Sequence, residues 1–595
     1  MNAPVSTSSR GGAWLLEPTE GAGAFTPEQF SEEQRLIAQT ADEFVQQEVL
    51  PVLELMEQKD WKIARSLVQR AGELGLLGVD VPEAYGGVGL DKVTSIIVSE
   101  RVAACASFAA TFGGQANLTV LPIFLFGTEA QKQKYLPKLL SGELVGAYAL
   151  SEPGSGSDAL GAKAKAVRQP DGSFVLSGEK MWITNGGFAD LFIVFAKVDG
   201  EQFSCFIVER AFKGVSNGKE EHKMGLLGSS TTPLILQDVK VPAENLLGEV
   251  GKGHKVAFNV LNFGRFKLGA MCSGGARVAI GEAAKYAAQR KQFGQPIANF
   301  GAIKHKLAEM TIRQYAIESL VYRTGGLIDA TLAATPHEAT DGSPVLAAVE
   351  EFAVEASIAK VAGSEMLDYV LDENVQIHGG NGFVADYPAE RHYRDARVNR
   401  IFEGTNEINR MLIPGMLVRR ALKGDLPLVA AARQLQAEIL EPSAPAVAGG
   451  DGRPLADERR TLAACKKVGL MALGLAMQRY GQSLTDQQEV LMYVSDILMD
   501  VYSAESAVLR ALDSQARKIG TADLQTDAAR VFVSDAAARV ESNARCALAA
   551  MAEGDTLRTQ LAALRRLLKV VPVDTVTLRR RIAEAVTAKG GYIFG

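Results

Sequence analysis

The sequence predicts a mainly helical protein with an inserted β domain. Three observations carry this. Amphipathic helical patterning covers most of the chain; period-two alternation and short apolar runs replace it over 148–253; and a proline- and glycine-rich break near residue 441 sets off a last helical domain. At roughly 100–200 residues per domain, 595 residues have room for several units. Hydrophobic residues at 47% and charged residues at 22% exclude wholesale disorder, and 63 basic against 69 acidic residues supply no field for a nucleic acid. Cys105, Cys205, Cys272, Cys465 and Cys546 are scattered, with no C-x-x-C pair, so neither a disulfide framework nor a zinc cluster is expected. A reducing compartment fits: cytoplasmic if the chain is bacterial, a mitochondrial-type matrix if it is eukaryotic.

Met1 to Gly23 is small, polar and glycine-rich, without the basic start and apolar run of a secretory signal, and residues 1–25 are taken as a flexible tail. A helical domain follows over 26–147. Ser31-Glu-Glu-Gln34 has capping-box spacing, and Ile37, Phe44, Val45 and Val49 fall near one helical face. In the β domain, Ala162 to Val167 alternates, Pro170-Asp-Gly172 supplies a turn and Phe174 opens a second strand, which together predict a hairpin. Leu191 to Ala196 and Cys205 to Val208 are expected as buried strands.

Long helices resume over 254–420, with Leu307, Met310, Ile317, Leu320 and Val321 on one core stripe. Residues 421–455 are assigned as a linker region on the composition of Glu441 to Pro454. In the final domain, 456–595, Thr485-x-x-Gln488 is expected to cap a helix carrying Val490, Val494, Ile497, Val501, Ala504 and Val508 in line. The apolar run Val468 to Met477 is far short of the ~20 residues of a membrane span, and no transmembrane helix is expected.

Five segments have residues suited to chemistry. Tyr148-Ala-Leu-Ser-Glu-Pro-Gly-Ser-Gly-Ser157 can present backbone N–H groups to an anion or a polar ring. Its Gly154-x-Gly156-x-x-Ala159 imitates a dinucleotide fingerprint, but alternating Ala-Lys follows instead of an apolar helix, so a Rossmann site is rejected. Trp182-Ile-Thr184 sets an aromatic beside a hydroxyl at a strand end, as stacking on a flat heterocycle requires, though a core tryptophan gives the same pattern. Gln289-Arg-Lys-Gln-Phe-Gly294 offers an arginine and an aromatic at a helix end, either a pyrophosphate grip or a solvated basic end. Gln376-Ile-His-Gly-Gly-Asn-Gly382 permits close backbone approach. In Arg400 to Arg410, Glu403 lies between Phe402 and Gly404, where desolvation raises a carboxylate's pKa toward that of a base.

Taken in this order, the segments make the chain resemble the acyl-CoA dehydrogenases, specifically the very-long-chain type with a C-terminal helical extension. The likeness is specific from about residue 30 to 420 and weaker from about 456 onward. It implies a helical domain, a β domain and a helical bundle with FAD between them and across a dimer interface. Position by position, it implies cofactor contacts from Tyr148, Leu150, Ser151, Gly156 and Ser157, from Trp182, Ile183 and Thr184, and from Thr405, Asn406 and Glu407. Arg290 and Phe293 match the pair that grips the neighbouring subunit's cofactor, and Gln376, Gly379 and Gly380 its pyrophosphate side. Ser157, Asn262, Phe263, Arg265, Phe402 and Gly404 match substrate positions, with Asn262 where shorter-chain relatives often have aspartate.

Glu403 falls on the family's base. Some relatives place theirs just before the arginine of the Asn262 segment, but this chain has Gly264 there. The reaction implied is α-proton removal by Glu403, with the thioester carbonyl polarised by the flavin ribityl hydroxyl and the glutamate's N–H, and transfer of the β-hydrogen to flavin, giving a trans-2-enoyl-CoA in the first step of fatty acid β-oxidation. An electron-transfer flavoprotein then takes the electrons. Long chains are expected from Gly113-Gly114 and Asn262, read as an open tunnel floor. No metal or nucleic-acid partner is expected, a homodimer is, and membrane contact is expected to be weak or absent, although Arg565, Arg566, Lys569 and Arg579 to Arg581 offer a substitute basic patch. Two alternatives compete: an acyl-CoA oxidase passing electrons to oxygen, and an assembly protein that keeps the fold.

Overall fold

Ser31 caps the first long helix, α1 (Glu32–Phe44), with its hydroxyl on the Gln34 N–H while the Gln34 side chain returns to the Ser31 N–H. The computed structural model describes residues 10–20, 24–336, 338–440 and 453–595. The first domain continues through α2 (Trp61–Glu73), α3 (Lys92–Val102), α4 (Ala106–Gln115) and α5 (Glu129–Leu140). The helical stretch Ala106–Phe126 is long and apolar enough to cross a membrane by length and composition alone. In this fold 78% of its most apolar window is buried inside the protein.

The β domain is an eight-stranded sheet: β1 (Gly146–Ala149), β2 (Lys165–Arg168), β3 (Phe174–Thr184), β4 (Leu191–Val198), β5 (Gln202–Glu209), β6 (Val215–Asn217), β7 (Thr231–Val241) and β8 (Leu246–Leu247). Its order is β6-β7-β3-β2-β4-β5-β8, with β1 parallel to β4. The hairpin forms as β2–β3, Lys165 facing Ser177. Between Lys180 and Ile183 the β3–β7 register shifts, and Trp182 sits there at φ 60. An extra residue in one strand bends it and re-aims a side chain; here the re-aimed side chain is the exposed indole of Trp182.

The bundle holds α6 (Gly253–Gln289), α7 (Gly301–Ala333), α8 (Ala353–His378), the short α9 (Pro388–Ala396) and α10 (Asn406–Lys423). After it come α11 (Leu428–Leu440), α12 (Ala456–Tyr480), α13 (Gln488–Ala516), α14 (Ala522–Met551), α15 (Gly554–Leu567) and α16 (Thr575–Lys589). The α13 stripe from Val490 to Val508 is buried as expected, and it joins residues of α7 and α8 in one continuous hydrophobic core.

Four sequence expectations need correction. Residues 10–20 are not a loose tail: Trp14 and Leu15 are buried, the Trp14 indole donates to Glu355 (3.0 Å), and the Thr19 hydroxyl donates to Glu505 of α13 (2.8 Å). The apolar triplet Trp14-Leu-Leu16 outweighs its small polar surroundings. The region 421–455 contains a helix, α11, because Leu428, Ala431, Leu435 and Ile439 recur at helical spacing; Glu441 to Gly452 of the linker lies outside the described residues. Thr485 belongs to a 3₁₀ turn and caps nothing, since α13 starts at Gln488 without a side-chain cap. The basic patch is divided: Arg579 is buried against Glu309 and Asp535, Arg581 pairs with Asp527, and Arg566 donates to the Ile439 carbonyl.

Candidate active site

The turn between α9 and α10 carries Glu403. Glu403 (φ 58) and Gly404 (φ 78) are consecutive left-handed residues. Glycine takes that conformation freely, but for a glutamate it costs on the order of 1–3 kcal/mol and persists only where surrounding contacts over-determine it. The contacts are present. The Asn409 amide donates to the carbonyls of Gly404 (2.9 Å), Thr405 (3.1 Å) and Glu403 (3.4 Å), and Arg265 Nε donates to the Glu403 carbonyl (3.4 Å). Thr405 then caps α10 through its hydroxyl to the Ile408 N–H.

The Glu403 side chain is treated differently from its backbone. Oε2 is sealed from solvent and has no hydrogen-bond partner. Burial pushes the carboxyl up to about 7, against the opposing pull of Arg265 and Lys360. A carboxylic acid titrating near neutrality, with an oxygen left bare, is suited to take a proton from carbon. Facing it is Gly264 of α6, where an added Cβ would lie 2.4 Å from Glu403 Oε2. The Glu403 carboxyl and position 264 of α6 thus meet in one volume, and the glycine leaves it free of a second side chain.

Beside the turn is a small apolar slot of about 80 Å³, partly open to solvent. One face of α6 supplies Leu268, Met271, Gly275 and Val278; the α3–α4 junction supplies alanines 103, 104, 106, 109 and 110; α8 supplies Leu367 and Leu371; and Phe402 closes it next to Glu403. Gly113 and Gly114 are not among the lining residues. A Cβ at Gly114 would meet the Asn185 amide at 2.9 Å, so close packing explains that glycine, while Gly113 faces Met271. Asn262 is also displaced from its expected role, since its Oδ1 accepts from Arg265 Nη1 (2.9 Å) and so orients the arginine. Phe263 is fully buried in the main core and is not among the residues lining this slot.

The loop after β1 is braced from within. Glu152 is buried, accepts the N–H groups of Lys163 and Ala164, and pairs with the buried Lys180, while the Ser151 carbonyl accepts the Met181 N–H. Bracing leaves the tip open: Gly156 and Ser157 are exposed, and no atom lies within 4 Å of a Cβ built on Gly154 or Gly156. Leu150 and Ser151 are half-buried, and the buried Tyr148 hydroxyl has no partner. Burial, with Cys205 and Glu403 nearby, holds that phenol well above its usual range. Trp182 is 58% exposed, Ile183 is buried and Thr184 half-buried.

Arg290, Phe293, Gln376, Gly379 and Gly380 stand apart at exposed helix ends. Phe293 and Gly294, both at positive φ, form the two-residue turn of a hairpin pairing Lys291–Gln292 with Gln295–Pro296, and Phe293 is 92% exposed. A phenylalanine displayed so fully on a rigid tip is placed to meet another surface. Glu407 is exposed, but Asn406 is buried with its amide committed to Lys360, Ser364 and Glu365, so its side chain is unavailable to a cofactor. Lys360, Asn409 and Arg410 were missed by sequence reading. The signal for Lys360 was a lysine inside the apolar run Ile358-Ala-Lys-Val-Ala362.

Domain by domain, the chain matches the models of the acyl-CoA dehydrogenase N-terminal domain (31–143), middle domain (147–239) and C-terminal domain (251–415), and a further acyl-CoA dehydrogenase C-terminal domain (464–566). The chain belongs to the acyl-CoA dehydrogenase family, whose members are oxidoreductases. It is 48% identical to a probable acyl-CoA dehydrogenase of Bacillus subtilis over 98% of this chain and 99% of that one. The structure of an acyl-CoA dehydrogenase from Bacillus anthracis complexed with FAD superposes with a TM-score of 0.95 at 48% identity, covering 98% of this chain and all of that one. The human mitochondrial very long-chain specific acyl-CoA dehydrogenase is 42% identical over 61% of this chain and 53% of its own length. The short-chain specific enzyme of Megasphaera elsdenii is 41% identical over 60% of this chain and 90% of its own.

Proposed function

We propose that this protein is an FAD-dependent dehydrogenase of long-chain fatty acyl-CoA, acting in fatty acid β-oxidation as a homodimer and passing electrons to an electron-transfer flavoprotein. The observation that carries the reading is the bare, buried carboxylate of Glu403 beside an apolar slot. A thioester α-proton is weakly acidic, so its base must be neutral-tuned, desolvated and aimed. Burial tunes Glu403, and Asn409 and Arg265 hold its backbone while leaving the acceptor oxygen free. In this reading the Glu403 N–H polarises the thioester carbonyl and Glu403 Oε2 takes the α-proton.

The residues present fit FAD. Trp182 offers an exposed aromatic face, Gly154 and Gly156 leave the loop backbone uncovered, and Tyr148 has an unspent hydroxyl. Ser151, Gly156, Ser157, Trp182 and Thr184 would hold the cofactor from one subunit; Arg290, Phe293, Gln376, Gly379 and Gly380 would reach it from the second. When bound, FAD supplies the acceptor for the substrate's β-hydrogen. The exposure of Phe293 supports the dimer, since within one subunit its ring meets the edge of Phe300 and is still left almost wholly exposed.

Relatives of opposite chain-length preference match almost equally, at 42% and 41% identity, so identity does not rank substrates. What supports long chains is the lining of the slot, where alanines and a glycine leave space that larger residues would fill, and each buried methylene contributes roughly 0.8 kcal/mol. The test is anaerobic titration with acyl-CoAs of graded length, following the flavin absorbance. Bleaching with the highest kcat/KM at about fourteen carbons or more, where methylene burial still adds, is expected; a maximum at butyryl- or hexanoyl-CoA overturns the chain-length reading, and no bleaching with any thioester overturns the whole. The division of the basic patch supports weak or absent membrane contact, for which salt-resistant sedimentation with anionic vesicles is the contrary result.

A further inference from the structure

The C-terminal domain packs on the helix that follows the Glu403 turn through a shared apolar core and grips one of its arginines by polar contacts, and these continue inward to the start of that helix. We propose that Arg410, seated by Asp496 and Ser495 of α13, is a positioning residue through which the C-terminal domain aims the Glu403 carboxylate. The inference rests on Glu403 being the base.

Arg410 Nε donates to Asp496 (2.8 Å), and its carbonyl accepts from the Ser495 hydroxyl. Both of its Nη atoms go to the two oxygens of Glu365 on α8 (2.6 and 2.8 Å), a planar fork that fixes orientation as well as distance. Glu365 in turn accepts from the Asn406 amide (3.0 Å), whose oxygen takes the ammonium of the buried Lys360 (2.6 Å). Asn406 is the first residue of α10, and the Glu403 turn leads directly into it. From α13 to the turn there is thus an unbroken line of charge-assisted bonds: Asp496, Arg410, Glu365, Asn406.

The line matters because Oε2 of Glu403 has no partner of its own. A base needs a free oxygen, so its aim comes from the backbone, and the backbone is held by the first turn of α10. If that turn loosens, the carboxylate loses its direction while the slot and the cofactor-facing loops remain. A misplacement of about 1 Å can cost up to ~10²-fold in rate without loss of binding.

The test compares Asp496→Ala with Asp496→Asn, which keeps an acceptor for Arg410 Nε. Glu458→Ala is the control, since it breaks a pair to Arg530 lying wholly within the C-terminal domain. In the FAD-loaded enzyme, Asp496→Ala is expected to slow flavin reduction at saturating acyl-CoA roughly tenfold with KM unchanged. It should also speed amide hydrogen exchange over residues 403–409. Asp496→Asn should restore most of both, and Glu458→Ala should move neither, even at a comparable loss of thermal stability. Should Asp496→Ala fail to fold, Ser495→Ala takes its place, with the same signs and a smaller slowing. Reduction and exchange unchanged beside a lowered melting temperature overturn the proposal. Glu403→Gln separates the two readings: if it reduces flavin at the wild-type rate, the base assignment fails, whereas a normal Asp496→Ala beside an inert Glu403→Gln refutes only the coupling.

Discussion

Glu309 and Glu403 are both glutamates taken out of water, and the fold treats them in opposite ways. Glu309, on α7, has Arg313 Nε on one oxygen (2.9 Å) and Arg579 Nε of α16 on the other (2.9 Å). Burial pushes its carboxyl up, but the two arginines outweigh this and hold it below the usual carboxylate range. Glu403 has its charges, Arg265 and Lys360, at a remove, and burial wins. Burial alone therefore does not decide what a carboxylate does; the saturation of its oxygens does. The seam between the bundle and the C-terminal domain holds another saturated carboxylate, Glu318, engaged by Arg277, Arg510 and Tyr592. The Glu403 turn leaves Oε2 buried without a partner, which in the proposed reading trades stability for reactivity.

The sharpest way to break the comparison is Glu403→Gln. The amide keeps the size and leaves the cofactor-facing loops untouched, so the variant is expected to purify with FAD and bind acyl-CoA. Stopped-flow reduction should be slower by about 10²–10⁴-fold, the range for loss of a general base. Reduction near the wild-type rate would remove Glu403 from the chemistry. The matching change on the other side is Arg579→Ala. Removing one partner from a buried pair leaves Glu309 and Asp535 underpaired and typically costs about 3–5 kcal/mol. Thermal unfolding should report that loss, with flavin reduction by acyl-CoA unaltered in the folded protein.

The contrast between these two glutamates also marks how far sequence reading reaches. The β2–β3 hairpin, the strands at 191 and 205 and the α13 stripe were legible because period and turn chemistry are local properties. Glu403 was legible because Phe402 and Gly404 flank it and a family pattern surrounds it. Asn409 and Arg410 were not, since what makes them matter is a contact: three carbonyls gathered under one amide, and a guanidinium shared between α8 and α13. Composition misled in both directions. It hid the buried Trp14 within a polar stretch and spread a linker over the helix from Leu428 to Leu440, because averages over a window erase the spacing of the few apolar residues that decide.

A third experiment sharpens the comparison through pH. With the folded carboxyl of Glu403 near 7 and an ordinary value of 4.5 when unfolded, the folded state holds a proton that the unfolded state releases between those limits. Stability from this group therefore falls as pH rises through that window and is level above it. At about 1.36 kcal/mol per unit, the full effect is on the order of 3 kcal/mol. Glu403→Gln should gain stability relative to wild type between pH 4.5 and pH 8, and denaturant unfolding at the two ends checks it. Over the same window, flavin reduction in the wild type should rise with pH as the base loses its proton. A pH-independent difference between the two proteins would mean that Glu403 is not desolvated.

The smallest expected effect comes from Gly264→Ala, and it separates stability from function most cleanly. Gly264 lies inside α6 and is buried, with φ outside the left-handed region, so alanine suits its backbone and should favour the helix by up to about 1 kcal/mol. The three atoms nearest its Cβ are in the Glu403 carboxyl: Oε2 at 2.4 Å, Cδ at 2.8 Å and Oε1 at 3.1 Å. These form the mobile end of a side chain that has no hydrogen bond on Oε2 to restrain it, so the carboxylate moves and the fold does not. The melting temperature is expected to hold or rise, while saturated flavin reduction falls roughly tenfold from misdirected proton transfer. At Glu309, whose oxygens are both engaged by arginines, a comparable intrusion would break ion pairs and lower stability instead. If Gly264→Ala lowers stability and leaves the reduction rate alone, the carboxylate is anchored, and the distinction drawn between these two glutamates is wrong.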